Sequence, residues 1–481
     1  MKDLNTTAAA SSFFKLFKEI KPISLWLLLP LIVVLAVTGT KYLIVFPAVF
    51  LFFALYLQFK ERFIPIWIIT TFLTVTSTFS VELRLVVQIT NLSLLSLVFL
   101  HNYGFDLHSY PEIPRFLSVF LILLISAMIA SGLVNSSVGI ALAQVFRLII
   151  FLVLLYLLYA VVLKHNAVFS VLLGLFVSAI VYFLVAFSEL AKANFDFIQR
   201  AQNEVFRIGS DYVNANGLGA VFGVTLILAL SLYHSKIFKN QLSRVLLIGY
   251  IVTVVSGLIV ANSRSALLAT LIGLTYYFFI TNRKIVWYGF ITVIIAVLVI
   301  LIVEPLRNFF ELFLRFDQFS TGRDFLWANA WEIIKHNPFF GTGPGAYKLQ
   351  MYKHLPYALG GFEESYIRRQ YEFVTFGVAH NFYLFMQSEL GLIGGILSVY
   401  LPASLLHYAN KVSKQIRDTN QQMHRLVVGI TTVFIFIFIR GIFESSFILN
   451  YGYILSDLPL WSLIALLIVI EKRSVATNAS S

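Results

Sequence analysis

Cysteine is absent from the 481-residue chain, which excludes disulfides, thiolate nucleophiles and cysteine-held metal. Charge is the second scarcity. Asp, Glu, Lys and Arg together make up 12% of the residues, where a soluble domain carries about a quarter. A water-exposed surface needs charge, so this deficit excludes an ordinary soluble enzyme. A hydrophobic content of 59% excludes a disordered chain or a fibrous repeat. Metal-ligand spacing is missing too: no His-x-x-x-His or Glu-x-x-His pair points to zinc. No Asp-x-Asp pair offers the carboxylates that hold a metal on a diphosphate. No metal and no cofactor is therefore expected.

What the chain does contain is long apolar runs, with a mean hydropathy of +0.86. Runs near 20 residues mark membrane-spanning helices, and about twelve to fourteen are expected, beginning near 24–39 and ending near 451–470. The expected architecture is all-α, a polytopic membrane helix bundle. Residues 1–303 read as an N-terminal transmembrane bundle of about eleven helices. Residues 304–381 read as one large, partly helical outer loop. Residues 382–481 read as C-terminal transmembrane helices with a short cytoplasmic tail. The run at 84–100 is interrupted by Gln88, Thr90, Asn91 and Ser93.

The formal net charge is +12. In a soluble protein that would suggest nucleic acid. In a membrane protein it has two simpler origins, cytoplasmic loops rich in Lys and Arg and attraction to anionic lipids or substrates. No nucleic acid partner is expected. Lys60, Arg62, Lys164, Lys236, Arg283, Lys414 and Lys472 all fall between runs on one side. That bias predicts cytoplasmic N- and C-termini in a multi-pass protein of a cytoplasmic membrane, with membrane lipids as immediate partners. No small-residue cleavage site follows the first apolar run, which reads as an anchor.

Two outer segments stand out. One runs from about Glu189 to Asn214. The other, about Glu304 to Ala379, holds eight basic and eight acidic residues. Loops longer than about 15 residues are usually functional or disordered, and this one is too aromatic for disorder. Phe325–Ile334 has helical periodicity with Asp324 near its start. Gly341-Thr342-Gly343-Pro344-Gly345 lacks the spacing of a phosphate loop and reads as a tight turn.

Candidate chemistry lies at the outer ends of the runs. Arg264 stands between two of them, where a guanidinium either snorkels to lipid phosphate or grips an anionic substrate with its planar fork. Arg207 lies in the first outer segment. His380 stands where the long loop returns to the membrane, and its imidazole offers either a structural hydrogen bond or a proton acceptor for an attacking hydroxyl. Arg147 and Arg440 fall within or beside apolar runs, where helix packing accounts for them equally well.

The motifs resemble a known family. Arg207, Gly209 and Asn214-Ala215-Asn216-Gly217 come first, then Ser263-Arg264-Ser265-Ala266 opening a helix. Arg323, Trp327 and Ala330 precede Asn337-Pro338-Phe339-Phe340-Gly341. His380-Asn381-Phe382 and Glu389-Leu390-Gly391-Leu392-Ile393-Gly394 close the set. In order and spacing they resemble the O-antigen ligase/polymerase family of bacterial inner-membrane proteins, over about 207–394. The resemblance implies a C-type glycosyltransferase-like helical fold with a periplasmic active site. It also implies metal-independent, inverting transfer of a preassembled glycan from undecaprenyl diphosphate.

The acceptor would be a hydroxyl of lipid A–core in the ligase branch, which is the favoured reading. It would be another lipid-linked repeat in the polymerase branch, or protein Ser or Thr in a third. Carried onto this chain, the catalytic residues are Arg207, Arg264 and His380. Arg323, Asn381, Trp327 and Tyr347 are expected to bind substrate, with Trp331 and Tyr352 as further stacking faces. Glu363, Glu364 and Glu389 are the reserve candidates for a base. The rival class is a transporter of lipid-linked glycan, which the absence of a two-fold repeat in the sequence disfavours.

Overall fold

The computed structural model describes residues 43, 45–73, 81–104, 110–135, 137–192, 215–314, 323–351, 353–354 and 378–480. Arg207, Tyr352, Glu363 and Glu364 lie outside the described residues. Everything described is helix, turn or irregular chain, and no strand occurs among the described residues.

The helices are α1 Val45–Phe59, α2 Ile64–Leu73, α3 Val81–Tyr103, α4 Arg115–Val134, α5 Val138–His165, α6 Val168–Lys192, α7 Ala215–Ser235 and α8 Gln241–Ala261. They continue as α9 Arg264–Thr281, α10 Arg283–Ile302, α11 Glu304–Leu314, α12 Arg323–His336, α13 Tyr347–Met351, α14 Phe382–Ile416, α15 Gln421–Arg440 and α16 Ile454–Ser480. Among the described residues ten helices are long and apolar enough to cross a membrane. The protein is an all-helical, polytopic integral membrane protein. Two of the polar interruptions of α3 are accommodated internally. Thr90 donates to the Val86 carbonyl, and Asn91 donates to Thr71 Oγ1 at 2.9 Å. Without water in the bilayer such groups must find partners inside the protein.

Two compact units divide the chain. One holds Met1–Glu112, Ile150–Ser178 and Trp461–Val475. In it Tyr56 links His165 and Asn102 by hydrogen bonds of 2.7 Å each, and Trp67 and Tyr159 are buried. The other holds Ile113–Ile149, Ala179–Leu460 and Ala476–Ser481, and it contains every described candidate residue.

Within this second unit α7 is central, packed by α8, α9 and α15, and is the most enclosed of the candidate spans. Close approach explains its glycines. A Cβ on Gly219 would lie 2.8 Å from Ser263 Cβ, and one on Gly223 would lie 2.6 Å from the Phe436 ring. At the other extreme α10 has no buried residue. Its apolar side chains are suited to lipid.

The hydrophilic stretch after α10 is folded where it is described. Helix α12 packs on α14, with Phe325, Ala330 and Ile333 fully buried and Trp331 51% exposed, as its periodicity predicts. Helix α14 is not continuous. Gly391 has φ +63° and ψ −147°, so the helix breaks into a first limb, 382–390, and a second limb, 392–416.

Candidate functional site

Glu444 organises the site. It lies between α15 and α16 in a segment whose polar backbone is satisfied by side chains. Arg147 donates from Nε to the Tyr451 carbonyl (2.8 Å) and from Nη2 to the Asn450 carbonyl (2.9 Å). The Asp457 carboxylate accepts the amides of Asn450 and Gly452. Unpaired buried backbone groups are costly, so these two charged side chains hold an irregular segment that would not otherwise persist.

The Glu444 carboxylate is buried and fully committed. Oε1 accepts from Arg323 Nη2 at 2.8 Å and from the Asn216 amide. Oε2 faces His380 Nδ1 at 3.0 Å. Burial alone would raise this carboxyl's pKa. The His380 hydrogen bond and charge, with the positive charges of Arg440 and Arg323, overcome that and hold it down at about 2. Glu444 is therefore a carboxylate, and by accepting from Nδ1 it leaves Nε2 as the ring nitrogen that gains or loses the exchangeable proton.

His380 has φ +46°, an uncommon backbone conformation for a non-glycine residue. Such strain persists only where the surroundings over-determine it. Here they do: Trp327 Nε1 donates to the His380 carbonyl at 3.4 Å, the Phe382 amide donates to Gly441 O at 2.7 Å, and Asn381 caps α14. The Asn381 Oδ1 accepts the amides of Tyr383 and Leu384. Its oxygen thus fixes the start of the helix rather than facing outward.

Arg323 opens α12 with its side chain 15% exposed, and the His380 side chain is 24% exposed. Both reach solvent from an otherwise enclosed cluster. An arginine carries five N–H donors, so the Arg323 fork can serve Glu444 and an anion together. Arg440 is fully buried. It donates to Asn216 O at 3.0 Å and Ser446 O at 3.1 Å, with its guanidinium 5.0 Å from the Phe447 ring centre.

Arg264 is the first residue of α9. The serine before it ties it to the cluster: Ser263 Oγ donates to Asn216 Oδ1 at 3.1 Å, and Asn216 in turn donates to Glu444. Two guanidiniums against one carboxylate leave the cluster a net cation before His380 or Arg264 is counted.

Trp327 packs on Phe443, ring centres 6.3 Å apart, beside His380. Tyr347 is fully buried, and its hydroxyl donates to the Leu326 carbonyl at 3.2 Å. Its ring presents no face to a sugar, because it fills the space under α12. Glu389, a reserve candidate for the base, is also enclosed. Oε2 accepts the Gly345 amide (2.9 Å) and Oε1 the Tyr347 amide (3.0 Å). A carboxylate so occupied has no route to an acceptor hydroxyl.

The glycine-rich stretch is a tight turn, with φ +65° at Gly341, +101° at Gly343 and +79° at Gly345. It fits into the break of α14. The carbonyls exposed there are taken by the turn, Ser388 O by the Thr342 amide and Glu389 O by the Gly343 amide, each at 3.0 Å. Ser131 Oγ also donates to Glu389 O. Thus the two glycine-bearing motifs are complementary halves of one joint.

Glu444 and the roles of Arg440 and Asn216 were not read from the sequence. A signal existed: residues 426–456 contain only two charges, Arg440 and Glu444, and lone charges beside a span are functional candidates. No group of three or more His, Cys, Asp or Glu side chains among the described residues is placed to hold a metal. Comparison with known families matches residues 249–399 to O-antigen ligase, which bears out the resemblance read from the motifs. The matched segment carries Arg264, Arg323 and His380, whereas Asn216, Arg440 and Glu444 lie beyond it. No curated protein matches the chain.

Proposed function

We propose that this integral membrane protein, with an O-antigen ligase segment at its core, transfers a preassembled glycan from undecaprenyl diphosphate to an acceptor hydroxyl on the periplasmic face. The acceptor we favour is lipid A–core. The observation that carries the reading is the Glu444-centred cluster. It sets a proton-accepting imidazole beside a net cationic patch at the end of membrane-spanning helices.

The chemistry needs both parts. As the acceptor hydroxyl attacks the anomeric carbon, its proton passes to His380 Nε2. Glu444 holds the ring in the required tautomer and stabilises the imidazolium. The C1–O bond breaks with its electron pair leaving on the diphosphate. Arg323 and Arg264, with Arg207 joining from its outer segment, would meet that charge. Attack opposite the leaving group inverts the anomeric centre. Trp327, whose indole N–H donates to the His380 carbonyl, would line the sugar path.

The deciding experiment supplies the purified protein with an undecaprenyl-diphosphate glycan and lipid A–core. Glycan-bearing lipid A–core is the expected product. Extension of one lipid-linked glycan by another would assign the polymerase instead. Movement of intact donor across vesicles without transfer would make the protein a transporter and overturn the reading.

A further inference from the structure

Two helices start at the Glu444 cluster and end at the joint. Helix α12 begins with Arg323 and runs into the 337–345 turn. The first limb of α14 begins at the Asn381 cap and ends at the Gly391 break. The helices pack on each other. At 1.5 Å per residue, α12 is roughly 21 Å long and the limb roughly 13 Å. They form a frame pinned at both ends, by Glu444 between Arg323 and His380 and by Glu389 between the limb and the turn.

Glu389 joins the limb to the chain around the turn through its side chain. It is 1% exposed, and both its oxygens accept turn amides. The limb cannot slide or rotate against α12 without breaking those bonds. Any such movement would change where His380 sits relative to Arg323.

We infer that Glu389 is a positioning residue, fixing His380 against Arg323 from the far end of the frame. The inference rests on the role given to His380 above. It does not make Glu389 a base, because both its oxygens already accept backbone amides. Glu389→Gln keeps the shape but turns an N–H donor toward one of the two turn amides. Displacement of a catalytic group by about 1 Å can cost about 100-fold.

The test is a double-mutant cycle in the reconstituted transfer assay, with thermal melting measured beside it. Glu389→Gln is expected to lower kcat about 10- to 100-fold and leave the donor KM within about two-fold. In a His380→Ala background the same substitution should cost little more, since residues acting through one group are not additive. Unchanged kcat in Glu389→Gln, or an undiminished loss in the His380→Ala background, would overturn the inference. Should Glu389→Gln fail to fold, Ser131→Ala removes one hydroxyl from the joint and is judged by the same two criteria. If His380→Ala itself transfers glycan normally, the assignment of the base has failed. If His380→Ala is impaired and Glu389→Gln is not, only the positioning role has failed.

Discussion

His380 Nδ1 stands 3.0 Å from Glu444 Oε2, joining residues 64 positions apart and on either side of two membrane-spanning helices. The pair has the form of a base and its orienter: a ring nitrogen held by a carboxylate, with the opposite nitrogen left for chemistry. The same carboxylate binds Arg323, so the base and a candidate anion ligand share one support.

Glu444 should therefore be indispensable. Glu444→Ala leaves Arg323 and buried Arg440 without their counter-charge, and breaking a buried pair costs about 3–5 kcal/mol. Expression and melting temperature should fall along with transfer. The carboxyl is held at about 2, below its ordinary 4.5. A lowered folded-state pKa gives stability that is complete above the unfolded value and lost as pH falls through the folded one. Melting in detergent should be insensitive to this group above pH 5 and decline between about pH 4.5 and 2, the decline being weaker in Glu444→Gln.

The arginines should behave as anion ligands. Arg264→Ala and Arg207→Ala are each expected to reduce transfer about 100- to 1000-fold with protein levels near normal, whereas Arg323→Ala, which also removes a partner of buried Glu444, should lower transfer and melting temperature together. Lysine should rescue only in part, because a point charge cannot make the bidentate contact. Full activity of Arg264→Ala would assign that residue to lipid contact instead.

For His380→Ala, turnover should fall about 100- to 10,000-fold while binding of the donor lipid survives. Flotation of labelled donor with the purified variant separates the two effects. Chelator should leave the parent protein unaffected, the arginines taking the place of a cation. Inhibition by EDTA that Mg²⁺ reverses would refute that expectation.

The break in α14 makes a sharper structural prediction. At Gly391 a Cβ would sit 2.2 Å from the Phe339 carbonyl oxygen in addition to the positive φ, so Gly391→Ala should abolish folded protein. Gly249, within α8, has nothing within 4 Å of where a Cβ would stand. Gly249→Ala should be neutral or stabilise by about 0.5–1 kcal/mol. Yields of monodisperse protein after detergent extraction test both.

Orientation can be tested because the chain has no cysteine of its own. Lys348 and Lys414 are both exposed. Cysteine at 348 should react with an impermeant maleimide in spheroplasts, and cysteine at 414 should react only after lysis. The reverse pattern would place the site on the cytoplasmic side.

Much of this protein is legible in its sequence, because a bilayer imposes a local rule. A helix that satisfies its own backbone and faces hydrocarbon must be apolar along its length. Runs such as 285–303 therefore announce themselves, and α10 appears as Arg283–Ile302. The same locality let Phe325–Ile334 be read as a helix and Gly341–Gly345 as a turn. His380 and Arg264 stood out because charges at the ends of apolar runs are conspicuous, and Arg323 only through the order of the family's motifs. What only tertiary structure decided is which of them meet. Glu444 sits in a short segment with no motif, and its partners come from α7, α12 and the start of α14. A carboxylate's need for donors acts across space and has no period along the chain. Tyr347 and Asn381 show the same limit from the other side. Their residue types suited substrate binding, and only packing decided that Tyr347 is buried under α12 and that the Asn381 oxygen caps α14.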